Sequence, residues 1–337
     1  MPMLTPSQVH IDQPLTNLTV AYLQDESAFI ADRVFPNVPV SKQTDKYYIY
    51  QREDFLRSGN VKALAPRTRP ERVGMSLSTD TYSIEVRGLA TDFDNQTLAN
   101  EDTMLDIRSA GARMLAHQML IDREKRWCST YFATSVWTTE YTGVANADND
   151  TAAEVTQWDD YTNSTPIEDV TLAKRTAMLA SGGFKPNVMV VTMDVRDTLV
   201  NHPDILARLN GGATVSNPAL VENSKLAEIF GVEDFLIIEA IENTAADGAT
   251  EALGFVSTKK AALYYRPVAP GLMVPAAGYN FTWTGLENSS GYGVSVQSYS
   301  GDYLSIEGIA EELHVVMGYD QKVVSADMGV FFNTILS

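Results

Sequence analysis

The alternation of apolar and polar positions changes its period three times along the chain. Thr44 to Tyr50 reads as an outgoing strand, and Met75 to Val86 alternates apolar and polar residues as a returning one. Between them, Arg57-Ser58-Gly59-Asn60 has turn chemistry, and Arg67, Arg69 and Arg72 sit among Pro66 and Pro70. The pattern predicts a long two-stranded ribbon from Ser41 to Ala90. A ribbon of two strands buries no core of its own and is marginal in water. It therefore predicts a surface on which to lie, and we read that surface as another copy of the chain.

A helical stretch follows from about Leu98 to Phe132, free of Pro and with Gly111 its only Gly. Asn100 is placed to cap its start, with Glu101 and Asp102 in the first turn and Arg123, Lys125 and Arg126 near the end, as the helix dipole favours. Leu105, Ala112, Leu115 and Met119 form one apolar stripe. At 1.5 Å per residue, about 30 residues span about 45 Å, enough to act as a spine for other elements.

Beyond it, Glu140 to Thr165 reads as loop with short strands, anchored by Trp137 and Trp158. Thr165-Pro166-Ile167-Glu168 has the form of a capping box with Pro at the first helical position, and that helix stops at Gly182-Gly183. Val188 to Val191 is wholly apolar, as in a strand covered on both faces. Helices are expected at Asp194–Asn201 and Ser224–Phe230, with a buried strand at Phe235–Ile241. Pro166 to about Pro267 thus predicts an α/β domain with its own core. From Tyr279 onward strands dominate: 281–283, 293–299, 305–316, 322–324 and 329–332, the last expected to return beside the spine.

Charge sharpens the picture. Residues 41–74 hold eight Lys and Arg against four Asp and Glu, a net of +4 in a chain whose net charge is −18. A basic ribbon on an acidic body complements a neighbouring body, which favours encounter and register. The acidic balance opposes tight nucleic-acid binding, which needs clustered cations. The 337 residues allow about two domains, and no apolar run of about 18 residues predicts a membrane span. The lone Cys128 cannot form an internal disulfide, which fits a reducing compartment.

Candidate chemistry is sparse. His10, His117, His202 and His314 show no ligand spacing, and no phosphate-loop, Gly-X-Ser-X-Gly or His-Glu-X-X-His pattern occurs. Asp92 and Asp94 beside Asn95, or Glu311 and Glu312 with His314, could be drawn as metal ligands, but such acid pairs are common on solvated surfaces. No catalytic residue, metal or cofactor is expected.

The order of elements resembles that of the major capsid proteins of tailed bacteriophages, the Hong Kong 97-like fold. Arg33-Val34-Phe35-Pro36-Asn37-Val38-Pro39-Val40 resembles the lead into that family's extended loop. Asp45-Lys46-Tyr47-Tyr48-Ile49-Tyr50 is similar to its outgoing strand, and Leu226 to Val232 to a helix end in its axial domain. The resemblance implies an α+β fold divided into an N-terminal arm (1–40), an extended β-hairpin loop (41–90) and a peripheral domain (91–165) with the spine at about 98–132. An α/β axial domain (166–280) and return strands (281–337) complete it.

The resemblance further implies a structural protein that self-assembles as hexamers and pentamers into an icosahedral shell around double-stranded DNA, which it encloses without sequence-specific binding. Such a protein assembles in the host cytoplasm and resides in the virion. Arm and loop occupy nearly all the chain before the spine, so a separate scaffolding protein is expected, with a portal and in some members a decoration protein. Intersubunit contacts are expected at Arg52, Arg57, Lys62, Arg67, Arg69 and Arg72, with Phe55 and Leu56 as apolar anchors. Some members cross-link a loop lysine; Lys62 is the one near this loop tip, and a salt-bridging or solvated role fits it better. An encapsulin-like compartment, an enzyme with an unrecognised site and a tail-tube module are the alternatives.

Overall fold

The computed structural model describes residues 24–50, 52–64, 66–100, 107–147, 153–210, 222–246, 248–271, 274–285, 294–299 and 309–337. Most of the N-terminal arm and the expected first turn of the spine, with Glu101, Asp102 and Leu105, lie outside them. The helices are α1 (Ala31–Val34), α2 (Arg52–Leu56), α3 (Asn95–Ala99), α4 (Ile107–Tyr131), α5 (Pro166–Ser181), α6 (Met193–Val200), α7 (Pro203–Asn210) and α8 (Asn223–Phe230). The first strands are β1 (Asn37–Val40), β2 (Thr44–Tyr50), β3 (Leu77–Ser83), β4 (Glu85–Asp94), β5 (Thr139–Val144) and β6 (Glu154–Thr156). They are followed by β7 (Val188–Thr192), β8 (Asp234–Ile238), β9 (Ile241–Asn243), β10 (Leu253–Phe255) and β11 (Ala261–Tyr264). The last are β12 (Gly278–Trp283), β13 (Val294–Tyr299), β14 (Ile309–Val323) and β15 (Gly329–Asn333).

A six-stranded mixed sheet, in the order β6-β5-β15-β11-β7-β8, organises one half of the molecule. Its central strands are apolar at consecutive positions because both faces are covered. Met189 and Val191 face a core made with Ile167, Val170 and Ala173 of α5 and Leu226 of α8. Val188 and Val190 face the opposite layer, with Phe35, Trp127, Phe132 and Tyr264. Helix α5 ends in two left-handed glycines, Gly182 (φ 80°) and Gly183 (φ 115°), the latter donating from its N to Met178 O at 2.8 Å.

The second sheet has the order β1-β12-β14-β13, with β4 also on β14. The 15-residue β14 changes partners along its length: residues 309–319 pair with β4, 312–317 with β13 and 319–323 with β12. Helix α4 lies on it. Leu115 and Met119 of the expected stripe meet Leu313, Val315, Met317 and Tyr319, which alternate along β14 onto one face. The 25 residues of α4 span about 38 Å at 1.5 Å per residue.

Several expectations are corrected. Asn100, expected to cap the spine, closes the short helix α3, with its N donating to Gln96 O, while the Asp94 side chain caps α3 by accepting from Thr97 N; the residues that would lead from Asn100 into the spine lie outside those described. The return strand breaks at Ile84, which is buried with Val38, Val40 and Phe281, so β3 stays in the ribbon while β4 leaves it for β14. Segments 305–316 and 322–324, read as two strands, contain a single one within the described residues, β14. The final strand β15 enters the centre of the six-stranded sheet, between β11 and β5, where Val330 to Phe332 are fully buried and Phe331 meets Phe132, at the end of the spine helix, with centroids 5.4 Å apart. Thr165 makes no side-chain cap bond to α5, so the capping box does not form.

Candidate assembly interface

The ribbon is an antiparallel pair, β2 against β3, in register from Thr44–Ser83 to Tyr50–Leu77. Only its base is tied into a core: Tyr82 stacks on Phe281 with centroids 4.8 Å apart, and Tyr47 tilts against the same ring. Polar bonds reinforce this. Tyr47 Oη donates to Asp80 at 2.8 Å, Lys322 Nζ reaches Asp80 at 3.0 Å, and Ser83 N donates to Asp320 at 2.9 Å. Burial of the Tyr47 phenol, together with its bond to the Asp80 carboxylate, holds it in the neutral form well above its usual range.

Beyond β2 the chain forms α2 and then an exposed tip, where Val61, Val73 and Met75 are each at least 70 % exposed. The projection touches the body where Arg52 and Leu56 lie against Gly182. A cleft of about 660 Å³ separates Ile49, Phe55 and Leu56 from Phe184, Val274 and Met328.

The eight expected contact residues divide into two groups. Arg52 pairs with Asp327 of the body at 2.7 Å, Arg57 with Glu53 at 3.4 Å and Lys62 with Glu71 at 2.7 Å, all within this chain. Leu56 lies at Gly182, and Phe55 is exposed. Arg67, Arg69 and Arg72 are exposed and make no ion pair among the described residues. Arg67 has a left-handed backbone (φ 69°) in the Pro66–Pro70 stretch. The sequence could not reveal the Arg52–Asp327 pair, whose members lie 275 residues apart, whereas Arg57–Glu53 is an i, i+4 pair that helical spacing allows.

One cluster the sequence did not single out has the outline of a hydrolytic site. Ser164 Oγ lies 3.0 Å from His202 Nε2, and His202 Nδ1 lies 4.0 Å from Asp204. Asp204 N donates to Nδ1 at 3.3 Å, so the ring proton sits on Nε2 and points at Ser164. Ser164 in turn donates to Asp160 O at 2.7 Å. A histidine in that tautomer cannot take the serine proton. Both side chains are buried, and the cluster instead ties the turn before α5 to the turn before α7.

The drawn metal sites resolve into other roles. Asp94 is the α3 cap, and His314 Nε2 lies 2.6 Å from Glu312. Among the described residues no three His, Cys, Asp or Glu side chains gather as they would around a metal ion, and no helix is long and apolar enough to cross a membrane.

No family model matches the chain. It is 26% identical to the major capsid protein of Pseudomonas phage JBD67 over 324 residues, which cover 96% of each protein. This chain is a relative of the phage major capsid proteins. A second one, from Burkholderia phage BcepMu, is 25% identical over 251 residues, 72% of this chain and 74% of that protein. The fold agrees. A phage-related protein from Bordetella bronchiseptica superposes with a TM-score of 0.65 at 18% identity, covering 93% of this chain and 94% of that one. The mature capsid of bacteriophage PhiM1 gives 0.58 at 12% identity, over 96% and 92%. The SrpI encapsulin of Synechococcus elongatus gives 0.54 at 10% identity, over 100% and 98%. The resemblance expected from the sequence is borne out, and the mixed helix-and-sheet fold is the one these capsid proteins share.

Proposed function

We propose that this chain is the major capsid protein of a tailed phage, assembling as hexamers and pentamers into an icosahedral shell around double-stranded DNA. The observation that carries this is the match to a phage major capsid protein across 96% of both chains. The exposed ribbon supports it, since it has an apolar, basic tip and buries no core of its own. In this reading α4 is the spine of the peripheral domain, and the six-stranded sheet with α5 to α8 is the axial domain.

Assembly works by repetition. Each ribbon contact is weak, but closed symmetry makes many of them mutually dependent. Arg67, Arg69 and Arg72 are the cations we assign to carboxylates of a neighbouring copy. Arg52, Arg57 and Lys62 hold their own chain's carboxylates and would join that interface by exchanging partners. The acidic body suits a container that does not grip its DNA. A separate scaffolding protein, a portal and a decoration protein complete the proposed set of partners, with assembly in the host cytoplasm and residence in the virion. The role is structural rather than enzymatic.

The likeness to an encapsulin favours one other reading, a compartment that holds protein cargo. Electron microscopy of the full chain, alone and coexpressed with its genomic neighbours, tests both. Closed icosahedral particles are expected; DNA or protein inside them decides between the readings. A monodisperse monomer under both conditions overturns the shell assignment.

A further inference from the structure

Glu124 lies in the middle of the spine helix α4 and is only 1 % exposed. Its Oε2 accepts from Ile30 N at 3.1 Å and Ala31 N at 2.9 Å, the free N–H groups at the start of α1. Its other oxygen, Oε1, is buried with no hydrogen-bond partner among the described residues. The cation beside it is already committed, because Arg123 pairs with Asp32 of α1 at 2.7 Å. Among the described residues, the charged groups acting on Glu124 are Arg123 and Asp32. Cys128, one turn along the helix, is also buried, and the charges that act on it are Glu124, Glu242 and Lys260. A carboxylate so enclosed prefers to bind a proton.

We propose that Glu124 is a proton-sensitive clasp that sets how firmly the first turn of α1 is docked on the spine helix. Burial pushes its carboxyl up to about 7, against an ordinary value of 4.5. Burial also raises Asp32, outweighing the pull of Arg123. The sign follows from proton binding. Between pH 4.5 and about 7 the docked state holds a proton that the opened state has lost, so docking weakens as pH rises through this window and is level above it. Val34 and Phe35, which are buried in the apolar layer beside Trp127, anchor the end of α1 at any pH. The clasp therefore governs the N-terminal end of α1, where Ile30 and Ala31 dock on the spine helix. It belongs to the single chain, so its failure leaves the shell assignment untouched.

Hydrogen exchange of the full chain, followed by mass spectrometry on peptides spanning 24–36 and corrected for the intrinsic pH dependence, reads the opening directly. Between pH 5 and 7.5 opening is expected to rise on the order of tenfold or more, the limit being tenfold per pH unit. Glu124→Gln, which cannot ionise, should flatten that rise, leaving only the smaller contribution of Asp32 at the acid end. An unchanged slope in the variant, or no slope in the parent chain, overturns the clasp. Should the variant not fold, the carboxyl infrared band of the parent chain decides. A glutamic acid with a midpoint near 7 supports the clasp, and carboxyls that all titrate below about 5 overturn it.

Discussion

Arg52 and Asp327 are 275 residues apart in sequence, yet the guanidinium Nη1 sits 2.7 Å from the carboxylate Oδ2. Asp327 also accepts from Thr138 Oγ1 at 2.7 Å. The pair fastens the far end of the ribbon to the body, across the cleft from its base. Both side chains are partly exposed, so the pair is worth at most about 1 kcal/mol. Asp327→Ala should leave global stability nearly unchanged while raising local opening of the ribbon by about fivefold. Trypsin digestion at Arg57, Lys62, Arg67 and Arg72 checks this; an unchanged cleavage rate removes the tether.

The charge argument for assembly rests on the tip arginines. Replacing Arg67, Arg69 and Arg72 together by Glu reverses six units of charge on an exposed segment. The monomer should fold normally by circular dichroism, and closed particles should be lost or malformed under the microscope. Normal particles from the triple variant would eliminate the electrostatic part of the proposed interface.

Gly329 opens β15 with an extended backbone, so its conformation is open to any residue, but its surroundings are not. A Cβ there would lie 2.0 Å from Cε3 of Trp137. That indole cannot yield, because it donates to Tyr131 O at 2.8 Å and is tilted against Tyr264 with centroids 4.9 Å apart. Gly329→Ala is expected to cost about 1–3 kcal/mol, as an overpacked core does, seen as a lower midpoint in urea unfolding.

Lys174 is buried on α5 and donates from Nζ to Phe230 O at 2.6 Å and Gly231 O at 2.7 Å, the carbonyls at the end of α8. Burial lowers its pKa from 10.5 to about 8. Between those values the unfolded chain retains a proton that the folded chain has released, so this group's contribution to stability rises with pH from about 8 to 10.5. The neutral amine still has two N–H groups for the two carbonyls. Lys174→Met should destabilise by about 1–3 kcal/mol through the orphaned carbonyls, and by more at pH 9.5 than at pH 7. A penalty independent of pH would place the lysine's titration elsewhere.

The sequence by itself determined the elements whose signals are local. Val188 to Val191 could be recognised as a doubly covered strand because no polar residue interrupts it, and the end of α5 because Gly182 and Gly183 alone tolerate the left-handed turn. The stripe of Leu115 and Met119 follows from helical period, and the ribbon from alternation and turn residues. What only the tertiary structure decided depends on partners remote in the chain. Ile84 turns from ribbon to core because Val38 and Phe281 await it there, and β15 enters the middle of a sheet whose neighbours begin at Thr139 and Ala261. Arg52 proved to hold the remote Asp327 of its own chain, and Glu124, an ordinary acid in the sequence, proved to be buried with one carboxyl oxygen lacking a hydrogen-bond partner among the described residues. Period and turn chemistry act over a few residues; pairing of charges and burial of a carboxylate are fixed by which surfaces the whole chain brings together.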